Sequence, residues 1–429
     1  MEAEFYTATT KSRNYGYTGE NIIKKAQYGT SKELNENGDG IPTLRLNEIK
    51  DTFISEKPAK FCSKLSDTEI KSLYLQKGDV LICRTNGNAN YVGRSGVVME
   101  NMHYVFASYL YRIIPDLEKI NSETLVAFLN SKYGREQINK QSMQSNQVNF
   151  SPAKFRKIDI PKIDTKIQNT IANMYSIAYT NIQNASNKYS QAENLLISEL
   201  GLENFNPSNE KVSIKTLKES FLKTGRLDSE YYQPKYDDYL KKVLSYKNGY
   251  ELLGKCCNIK DKNFMPKDDE GYRYIELANV RSNAQIIDCN ILLGKELPTR
   301  ARRKVNTGDV IVSSIEGSLE SCALITEEYN NSLCSTGFYV VNSEKLNSES
   351  LLTFFKSSLM LNLMKKGCSG TILTNIAKEE FAKLPIPLLK QDVQDEIASY
   401  IKQSMEYSKK AKDLLNISTE AVEIAINKD

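Results

Sequence analysis

The sequence predicts an α+β protein in which two strand-rich domains alternate with two long helices. Three observations support this fold class. A helical pattern occurs twice, the strand and turn signals between the two patterns also occur twice, and the repeated pieces keep the same order. A chain of 429 residues is longer than one hydrophobic core usually holds. We therefore expect a tandem pseudo-repeat of two domains.

The first long helix is predicted over residues 162–200. Apolar and small side chains recur there at alternating steps of four and three, which places them on one helix face. The pattern returns 226 positions later, over residues 388–426, and neither run contains Gly or Pro. A helix of about 38 residues is roughly 57 Å long, so each should link domains rather than lie within one core. The repeated positions, called the helix seam, are Ile171, Tyr175, Ala178, Ile182, Ala185, Tyr189, Ala192, Leu196, Ile397, Ile401, Ser404, Ser408, Ala411, Leu415, Ser418 and Val422.

Residues 1–161 are predicted to form the first strand-rich domain. The segment Asn121-Ser122-Glu123 is expected to cap a helix over residues 124–129 in a serine-led start, and Pro161 ends the domain. Turn residues at 29–32, 35–40 and 85–88 separate predicted strands at 41–47, 80–84 and 92–98.

The residues after the first long helix repeat the pattern of the first domain. Gly201 ends the first long helix, and the stretch from Arg226 to Pro234 leads into a predicted helix over residues 235–243. Gly78-Asp79-Val80 matches Gly308-Asp309-Val310, Asn121-Ser122-Glu123 matches Asn347-Ser348-Glu349, and Phe155, Ile160 and Pro161 match Phe381, Ile386 and Pro387. The predicted segments are a first domain (1–161), a helix and linker (162–204), a second domain (205–387) and a final helix (388–429).

Composition limits the classes of function. The net charge of +4 permits local nucleic-acid-binding patches without requiring them. The eight cysteines form no C-x-x-C pair, so we expect reduced, mostly buried thiols in a cytosolic protein and no metal site. No run is long and apolar enough to span a bilayer, and the N-terminus does not resemble a signal peptide.

The sequence contains none of the common catalytic motifs. It lacks G-x-G-x-x-G, G-x-x-x-x-G-K-[ST] and G-x-S-x-G, and its single histidine, His103, cannot serve two duplicated active sites. We therefore expect no catalytic residues on this chain.

Basic and amide side chains in turns at strand ends suggest DNA binding. Arg, Asn and Lys read purine edges in the major groove and neutralise phosphates, although any one of them could simply be a solvated loop residue. Arg84 with Asn86, and the run from Arg300 to Lys304, are the strongest candidates. The full set is Lys32, Arg45, Arg84, Asn86, Asn88, Arg94, Lys260, Lys262, Asn263, Lys267, Arg281, Arg300, Arg302, Arg303 and Lys304.

Several segments, taken in order, resemble the specificity (S) subunit of Type I restriction–modification systems. The resemblance covers essentially the whole chain. The segments are 29–32, 40–45, 78–87, 92–96, Ile160-Pro161 before a long helix, 192–202 and 226–236. One departure is that the segment 226–236 has no counterpart within residues 1–17, although family members often carry a similar piece at both places.

The resemblance implies two target recognition domains separated by two long antiparallel helices. Each domain would read one half of a split DNA sequence, with the halves about one turn, roughly 10 bp, apart. It further implies two modification (methyltransferase) subunits docked on the helices, which carry S-adenosylmethionine, and restriction subunits that cut DNA. This chain would then bind no cofactor of its own, and base flipping would occur in the partners.

Two alternatives remain open from the sequence. A standalone Type II-like enzyme would need an adenine-methyltransferase motif or a nuclease carboxylate cluster, and we find neither. A scaffold that joins other proteins through its helices would not read DNA. A salt-dependent gel shift would distinguish it from a DNA-reading subunit, because phosphate contacts make the affinity for DNA fall steeply with salt.

Overall fold

A computed structural model of the chain describes residues 16–50, 52–54, 58–142, 148–210, 212–281, 283–287, 289–369 and 374–427. The described residues form two compact units. The first unit runs up to Asn184 and resumes at Tyr407, and the second is Ala185–Glu406. Each unit contains one strand-rich domain and one half of each long helix, which confirms the predicted fold class.

The first domain is a mixed sheet with short helices. A six-stranded sheet has the order β2-β10-β7-β8-β5-β4, and β3 lies between β6 and β9 in a second sheet. Its strands are β1 (Gly16–Thr18), β2 (Ile23–Tyr28), β3 (Ile41–Leu44), β4 (Ile49–Lys50), β5 (Phe53–Ile54), β6 (Phe61–Cys62), β7 (Val80–Cys83), β8 (Ser95–Val97), β9 (Val105–Phe106), β10 (Leu110–Pro115) and β11 (Asp159–Pro161). Its helices are α1 (Gly19–Ile22), α2 (Asp67–Leu73), α3 (Ser122–Asn130), α4 (Lys132–Ser142) and α5 (Pro152–Phe155), followed by the long helix α6 (Thr165–Glu199).

The second domain repeats this order. Its central sheet, β13-β20-β17-β18, corresponds to β2-β10-β7-β8 of the first. Its strands are β12 (Tyr250–Leu252), β13 (Cys257–Lys260), β14 (Gly271–Ile275), β15 (Ile291–Leu293), β16 (Ala301–Lys304), β17 (Val310–Ser313), β18 (Cys322–Leu324), β19 (Leu333–Ser335), β20 (Phe338–Ser343), β21 (Cys368–Ser369), β22 (Asn375–Ile376) and β23 (Pro385–Pro387). Its helices are α7 (Phe221–Thr224), α8 (Pro234–Leu244), α9 (Leu253–Cys256), α10 (Ser348–Lys356), α11 (Ser358–Gly367) and α12 (Lys378–Ala382), followed by the long helix α13 (Gln391–Asn427).

Strand β7 explains why a continuous apolar run forms the centre of the first domain. Successive strand residues point to opposite faces. Val80 and Ile82 therefore join a core that also contains α3 and α6, while Leu81 and Cys83 join a separate core with β3 and β9. Both faces of this sheet are covered, so no polar face is needed.

The two long helices pack antiparallel. In the first unit the Ser418 hydroxyl lies 3.5 Å from the Met174 sulfur, and in the second the Ser404 hydroxyl donates to the Ala185 carbonyl at 2.7 Å. Also within the second unit, the Lys188 ammonium lies 5.2 Å from the centre of the Tyr400 ring, so the residue number falls along α13 as it rises along α6. Small seam residues let the helix backbones approach closely enough for the Ser404 bond. All seam positions are buried except Ile182, Tyr189 and Ser408, which are half-buried.

Each long helix is tied to its domain by the same pair of side chains. The Asn121 backbone N–H donates to Gln168 Oε1 at 2.8 Å, and Asn121 Nδ2 donates to the Gln168 carbonyl at 2.9 Å. Asn347 and Gln394 make the same two bonds at the same lengths. These residues and the turn before β7 or β17 are called the shared frame: Gly78, Asp79, Asn121, Ser122 and Gln168, with Gly308, Asp309, Asn347, Ser348 and Gln394.

A buried aspartate completes the shared frame, but its cationic partner differs between the copies. Asp79 accepts from Arg112 on β10 at 2.8 Å, and both side chains are buried. Asp309 accepts from Lys260 on β13 at 2.7 Å and from Asn342 at 2.8 Å. Because a buried carboxylate needs compensation, the cation has been kept while the strand that supplies it has changed.

Candidate nucleic-acid interface

The carboxyl ends of four strands meet at one edge of the first domain. The Ala107 N–H donates to the Leu44 carbonyl at 2.9 Å, the Ser108 N–H to the Thr30 carbonyl at 2.7 Å, and the Arg84 N–H to the Tyr109 carbonyl at 2.8 Å. These bonds bring together the residues that follow β2, β3, β7 and β9. We call this region the first strand-end surface: Lys32, Arg45, Arg84, Tyr109 and the turn 86–94.

Arg84 is the best-placed predicted residue on this surface. It directly follows the buried β7, and its guanidinium lies 5.4 Å from the centre of the Tyr28 ring. Tyr28 and Tyr109 are both exposed. A rigid strand end thus presents one guanidinium beside an accessible aromatic ring, a combination that suits contact with bases or sugar.

Lys32 and Arg45 have partners within the domain. The Lys32 ammonium donates to Glu69 at 2.7 Å, and the Arg45 guanidinium lies 3.4 Å from Glu48. Both are half-buried. They contribute less unpaired charge than Arg84, which makes no ion pair with any described residue.

The predicted asparagines shape the turn after β7. Asn86 Oδ1 accepts from the Asn88 N–H at 2.8 Å, and Asn88 Oδ1 accepts from the Asn90 N–H at 3.0 Å. Each retains its side-chain amide for other contacts. Arg94 closes the turn, with its guanidinium 4.4 Å from the centre of the exposed Tyr91 ring.

Sequence reasoning missed Arg135, which lies on α4 beside this turn. Its Nη2 donates to the Asn90 carbonyl at 3.2 Å. Arg135 is far from the turn in the sequence, so only the fold brings it there. A signal was nevertheless available, because the corresponding residue in the second copy, 226 positions later, is Leu361 rather than a cation.

The second domain has an equivalent surface after β13, β14, β17 and β19. The Phe264 N–H donates to the Arg302 carbonyl at 2.8 Å, the Thr336 N–H to the Arg300 carbonyl at 2.9 Å, and the Ser314 N–H to the Gly337 carbonyl at 2.9 Å. We call this region the second strand-end surface: residues 262–264, Glu276, Arg300, Ser314 and Glu316.

The predicted residues 260–281 fall into different environments. Lys262 and Asn263 are exposed at the surface just defined. Lys260 instead binds Asp309 of the shared frame, and Lys267 binds Glu270 at 2.6 Å. Arg281 is half-buried, and its backbone N–H donates to the Gln285 carbonyl at 2.9 Å.

The basic run lies on and just before β16. Arg300 is exposed, whereas Arg302 donates to the Thr299 carbonyl at 3.2 Å. Arg303 Nη1 is buried and has no hydrogen-bond partner in the described part of the chain, and the Lys304 ammonium lies 5.2 Å from the centre of the Phe264 ring. Arg300 is therefore the member of this run most open to a ligand.

Matching hydrogen bonds show which surface positions correspond between the copies. The Arg84 N–H bonds to the Tyr109 carbonyl just as the Ser314 N–H bonds to the Gly337 carbonyl. The Arg45 N–H bonds to the side chain three residues later, and the Glu276 N–H does the same. The shared frame is thus preserved while the strand-end side chains differ: Arg45 and Glu276, Arg84 and Ser314, Asn86 and Glu316, Tyr109 and Gly337.

The buried thiols near these surfaces are protected from ionisation. Burial raises the pKa of the Cys83 thiol to about 11 and that of Cys322 to about 12, so both are neutral at physiological pH. None of the eight cysteines forms a disulfide. Within the described ranges, no group of three or more His, Cys, Asp or Glu side chains is arranged to hold a metal ion. No helix in the described part of the chain is long and apolar enough to cross a membrane.

Comparison with known proteins identifies the class of domain. Residues 250–416, which cover most of the second domain and much of α13, match the Type I restriction modification DNA specificity domain. The specificity subunit of the Type I restriction enzyme EcoKI from Escherichia coli (strain K12) is 31% identical over 84 residues, which are 20% of this chain and 18% of that protein. The chain thus matches less than a fifth of the length of that relative. Residues 250–416 therefore form a domain of the Type I restriction modification DNA specificity kind.

Two solved structures align along almost the entire chain. The S subunit from M. genitalium is 11% identical, covers 96% of this chain and 94% of its own, and has a TM-score of 0.42. The HsdS subunit from Thermoanaerobacter tengcongensis is 10% identical, covers 95% of each chain, and has a TM-score of 0.28.

Proposed function

We propose that this chain is the sequence-specific DNA-recognition subunit of a Type I restriction–modification complex. Each strand-rich domain reads one half of a bipartite DNA target. The observation that carries this proposal is the contrast between the shared frame, which both copies keep, and the strand-end surfaces, where corresponding side chains differ. Two domains that share one fold but prefer different bases need a constant framework and contact residues that differ.

The chemistry of the first strand-end surface suits direct readout. Arginine binds guanine O6 and N7 through two hydrogen bonds, and asparagine binds adenine N6 and N7 in the same way. Arg84 and Asn86 offer these groups two residues apart at the end of a rigid strand. Glu276 and Glu316 of the second surface can instead accept from the cytosine amino group, so the two half-sites should differ in sequence.

The two long helices serve as the spacer between the half-sites and as the docking site for two modification subunits. A helix of 35 residues is roughly 52 Å long, enough to separate two domains by more than one DNA turn. The methyltransferase subunits would carry S-adenosylmethionine and methylate adenine, and restriction subunits would cut. Such a complex would act in the cytoplasm, and this chain would contribute no catalytic residue.

The experiment is methylation mapping with the chain bound to its modification subunits. Replacing residues 1–161 with those of another S subunit should change one half of the methylated sequence and leave the other half and the spacing intact. The point variant Arg84→Ala should relax the preference at one base pair, since a lost bidentate contact removes about 1–3 kcal/mol of discrimination. Lys77→Gln, an exposed change before β7 at the end of the strand opposite to Arg84, is the matched control and should leave the target unaltered.

Two results would contradict the proposal. One is a replacement of residues 1–161 that changes both halves or neither half of the target. The other is binding of the purified chain to duplex DNA that does not weaken with salt, which would favour a protein scaffold that does not read DNA.

A further inference from the structure

Two arginines in the first domain lie against the same turn. Arg135 Nη1 is 3.3 Å from the position that a Cβ on Gly93 would occupy, and its Nη2 donates to the Asn90 carbonyl. Arg94, the residue after Gly93, lies over the Tyr91 ring. The turn 90–94 therefore holds one guanidinium by its backbone and the other by its aromatic side chain.

Gly93 makes this approach possible. Its φ of +78° lies in the left-handed region, and a Cβ there would come within 2.4 Å of the Ile138 side chain as well as crowding Arg135. A larger residue would push α4 and its arginine away from the turn. The close placement of Arg135 is thus a consequence of glycine at this position.

The two positive charges are not compensated by the domain. Among the residues that the structure describes, no carboxylate lies within 4 Å of either guanidinium. Burial, and secondarily the charge of Arg94, lower the pKa of Arg135. The charge of Arg94 is close enough to Arg135 to lower its pKa, so an anion bound beside both side chains would relieve their repulsion.

The second domain has the same backbone but not the same chemistry. The Cys83 N–H donates to the Arg94 carbonyl as the Ser313 N–H donates to the Ser321 carbonyl. The Arg135 N–H bonds to a serine carbonyl four residues earlier, and so does that of Leu361. Ser321 and Leu361 thus occupy the places of the two arginines.

A cavity of about 440 Å³ lies at that place in the second domain. It is lined by Ser321 and Leu361, together with Glu316, Glu320 and Lys365. Two carboxylates against one lysine make this cavity unfavourable for a phosphate. The difference between the copies is therefore one of charge, at corresponding positions of one fold.

We propose that Arg94 and Arg135 form a clamp that binds a single DNA backbone phosphate, and that only the first domain has this clamp. The inference rests on the proposed function and adds to it a sequence-independent contact. Paired guanidinium groups bind phosphate through several charge-assisted hydrogen bonds. The first domain therefore binds a backbone phosphate at a position where the second domain does not. The affinity of the chain for DNA thus depends unequally on its two domains.

The test measures how the affinity for DNA falls with salt. The probe is a fluorescein-labelled 40-bp duplex of mixed sequence, and the proteins are the full chain, Arg94→Gln, Arg135→Gln and the double variant, with Lys166→Gln as control. One phosphate contact contributes about 0.9 to the slope of log K against log salt. If the arginines share one phosphate, the double variant should lose about one in slope, no more than the larger single effect. An unchanged slope, or a loss of about two in the double variant, would overturn the clamp.

A second measurement separates this inference from the proposed function. Inorganic pyrophosphate should raise the melting temperature of the wild-type chain and of Lys166→Gln but not that of Arg94→Gln or Arg135→Gln. If the wild type bound DNA without salt dependence, the proposed function would fail, and the pyrophosphate result would still decide the clamp. Equal stabilisation of all four proteins by pyrophosphate would refute it.

Discussion

Replacing Arg112 with Met should destabilise the first domain far more than replacing Lys260 with Met destabilises the second. Arg112 is 4% exposed and donates to Asp79, to the Ser72 carbonyl and to the Tyr74 carbonyl, each at 2.8 Å. Without it, the Gln76 N–H, at 3.0 Å, would be the one donor left to the Asp79 side chain among the described residues. Removing one partner of a buried ion pair costs about 3–5 kcal/mol, because the remaining charge stays buried without compensation.

After the equivalent change in the second domain, the buried aspartate keeps more of its hydrogen bonds. The Lys260 side chain is 31% exposed, so solvent already screens the pair. Asp309 would still accept from the Asn306 N–H and from Asn342 Nδ2, each at 2.8 Å. We therefore expect Lys260→Met to cost about 1–2 kcal/mol, the value of one charge-assisted hydrogen bond reduced by solvent screening.

Hydrogen exchange followed by mass spectrometry is the appropriate assay, since peptides from β7 and β17 report on the two domains separately. Lys64→Met, which removes an exposed ion pair with Glu33, is the control and should change neither peptide. Asp79→Asn combined with Arg112→Met should recover part of the loss, because it removes the stranded charge. If the double variant were as unstable as Arg112→Met alone, the buried charge would not be the cause.

Three further predictions concern the helices and one tyrosine. Ala178→Leu should lower the free energy of unfolding by about 1–3 kcal/mol, because Ala178 is fully buried in the seam; Asn173→Leu on the exposed face of the same helix should not, as urea titration of both variants would show. Gln394→Ala should cost about 2 kcal/mol or more in the same titration, because the Asn347 N–H loses its acceptor and the Lys345 and Leu389 carbonyls lose their side-chain donor; a neutral effect would refute its bracing role. Burial, together with donation to a carboxylate, raises the pKa of Tyr246 to about 12. Its contribution is present below the unfolded pKa near 10 and is lost as pH rises to 12, so Tyr246→Phe should flatten stability measured across that range, and an unchanged pH dependence would contradict this.

The elements that follow from local pattern could be predicted from the sequence. The long helices were expected over residues 162–200 and 388–426, and they form over Thr165–Glu199 and Gln391–Asn427. The helix cap lies within the predicted segment 121–123, but Asn121 provides it rather than the expected serine, since Asn121 Oδ1 accepts from the Thr124 N–H at 2.8 Å. Periodicity and capping depend on neighbours in the sequence, so the sequence contains what is needed to find them.

The predicted ends of the strands are less accurate than those of the long helices, and the local backbone explains why. The strand expected over residues 41–47 stops at Leu44 because residues 46–48 form a single 3₁₀ turn, which the Glu48 side chain closes by accepting from the Arg45 N–H. The strand expected from residue 92 begins at Ser95, since Gly93 takes a left-handed conformation.

Interactions between distant residues could not be predicted at all. Lys260 was selected as a DNA contact because it is a cation at a strand end, but its ammonium binds Asp309. Arg135 was overlooked because the helix that carries it is remote from the turn in sequence. The Lys260–Asp309 ion pair and the position of Arg135 both depend on how strands and helices are placed in the fold. Composition and periodicity do not specify that placement.

The different origin of the cation in the two copies restricts how natural or engineered hybrids of this chain can be assembled. By strand register, Gln27 on β2 corresponds to Lys260 on β13, and Arg112 on β10 to Val340 on β20. A hybrid that mixes these strands would place two cations beside one aspartate, or none. Viable breakpoints should therefore fall in the long helices. An exchange there replaces a whole strand-rich domain and keeps the buried aspartate of each domain with its own cation.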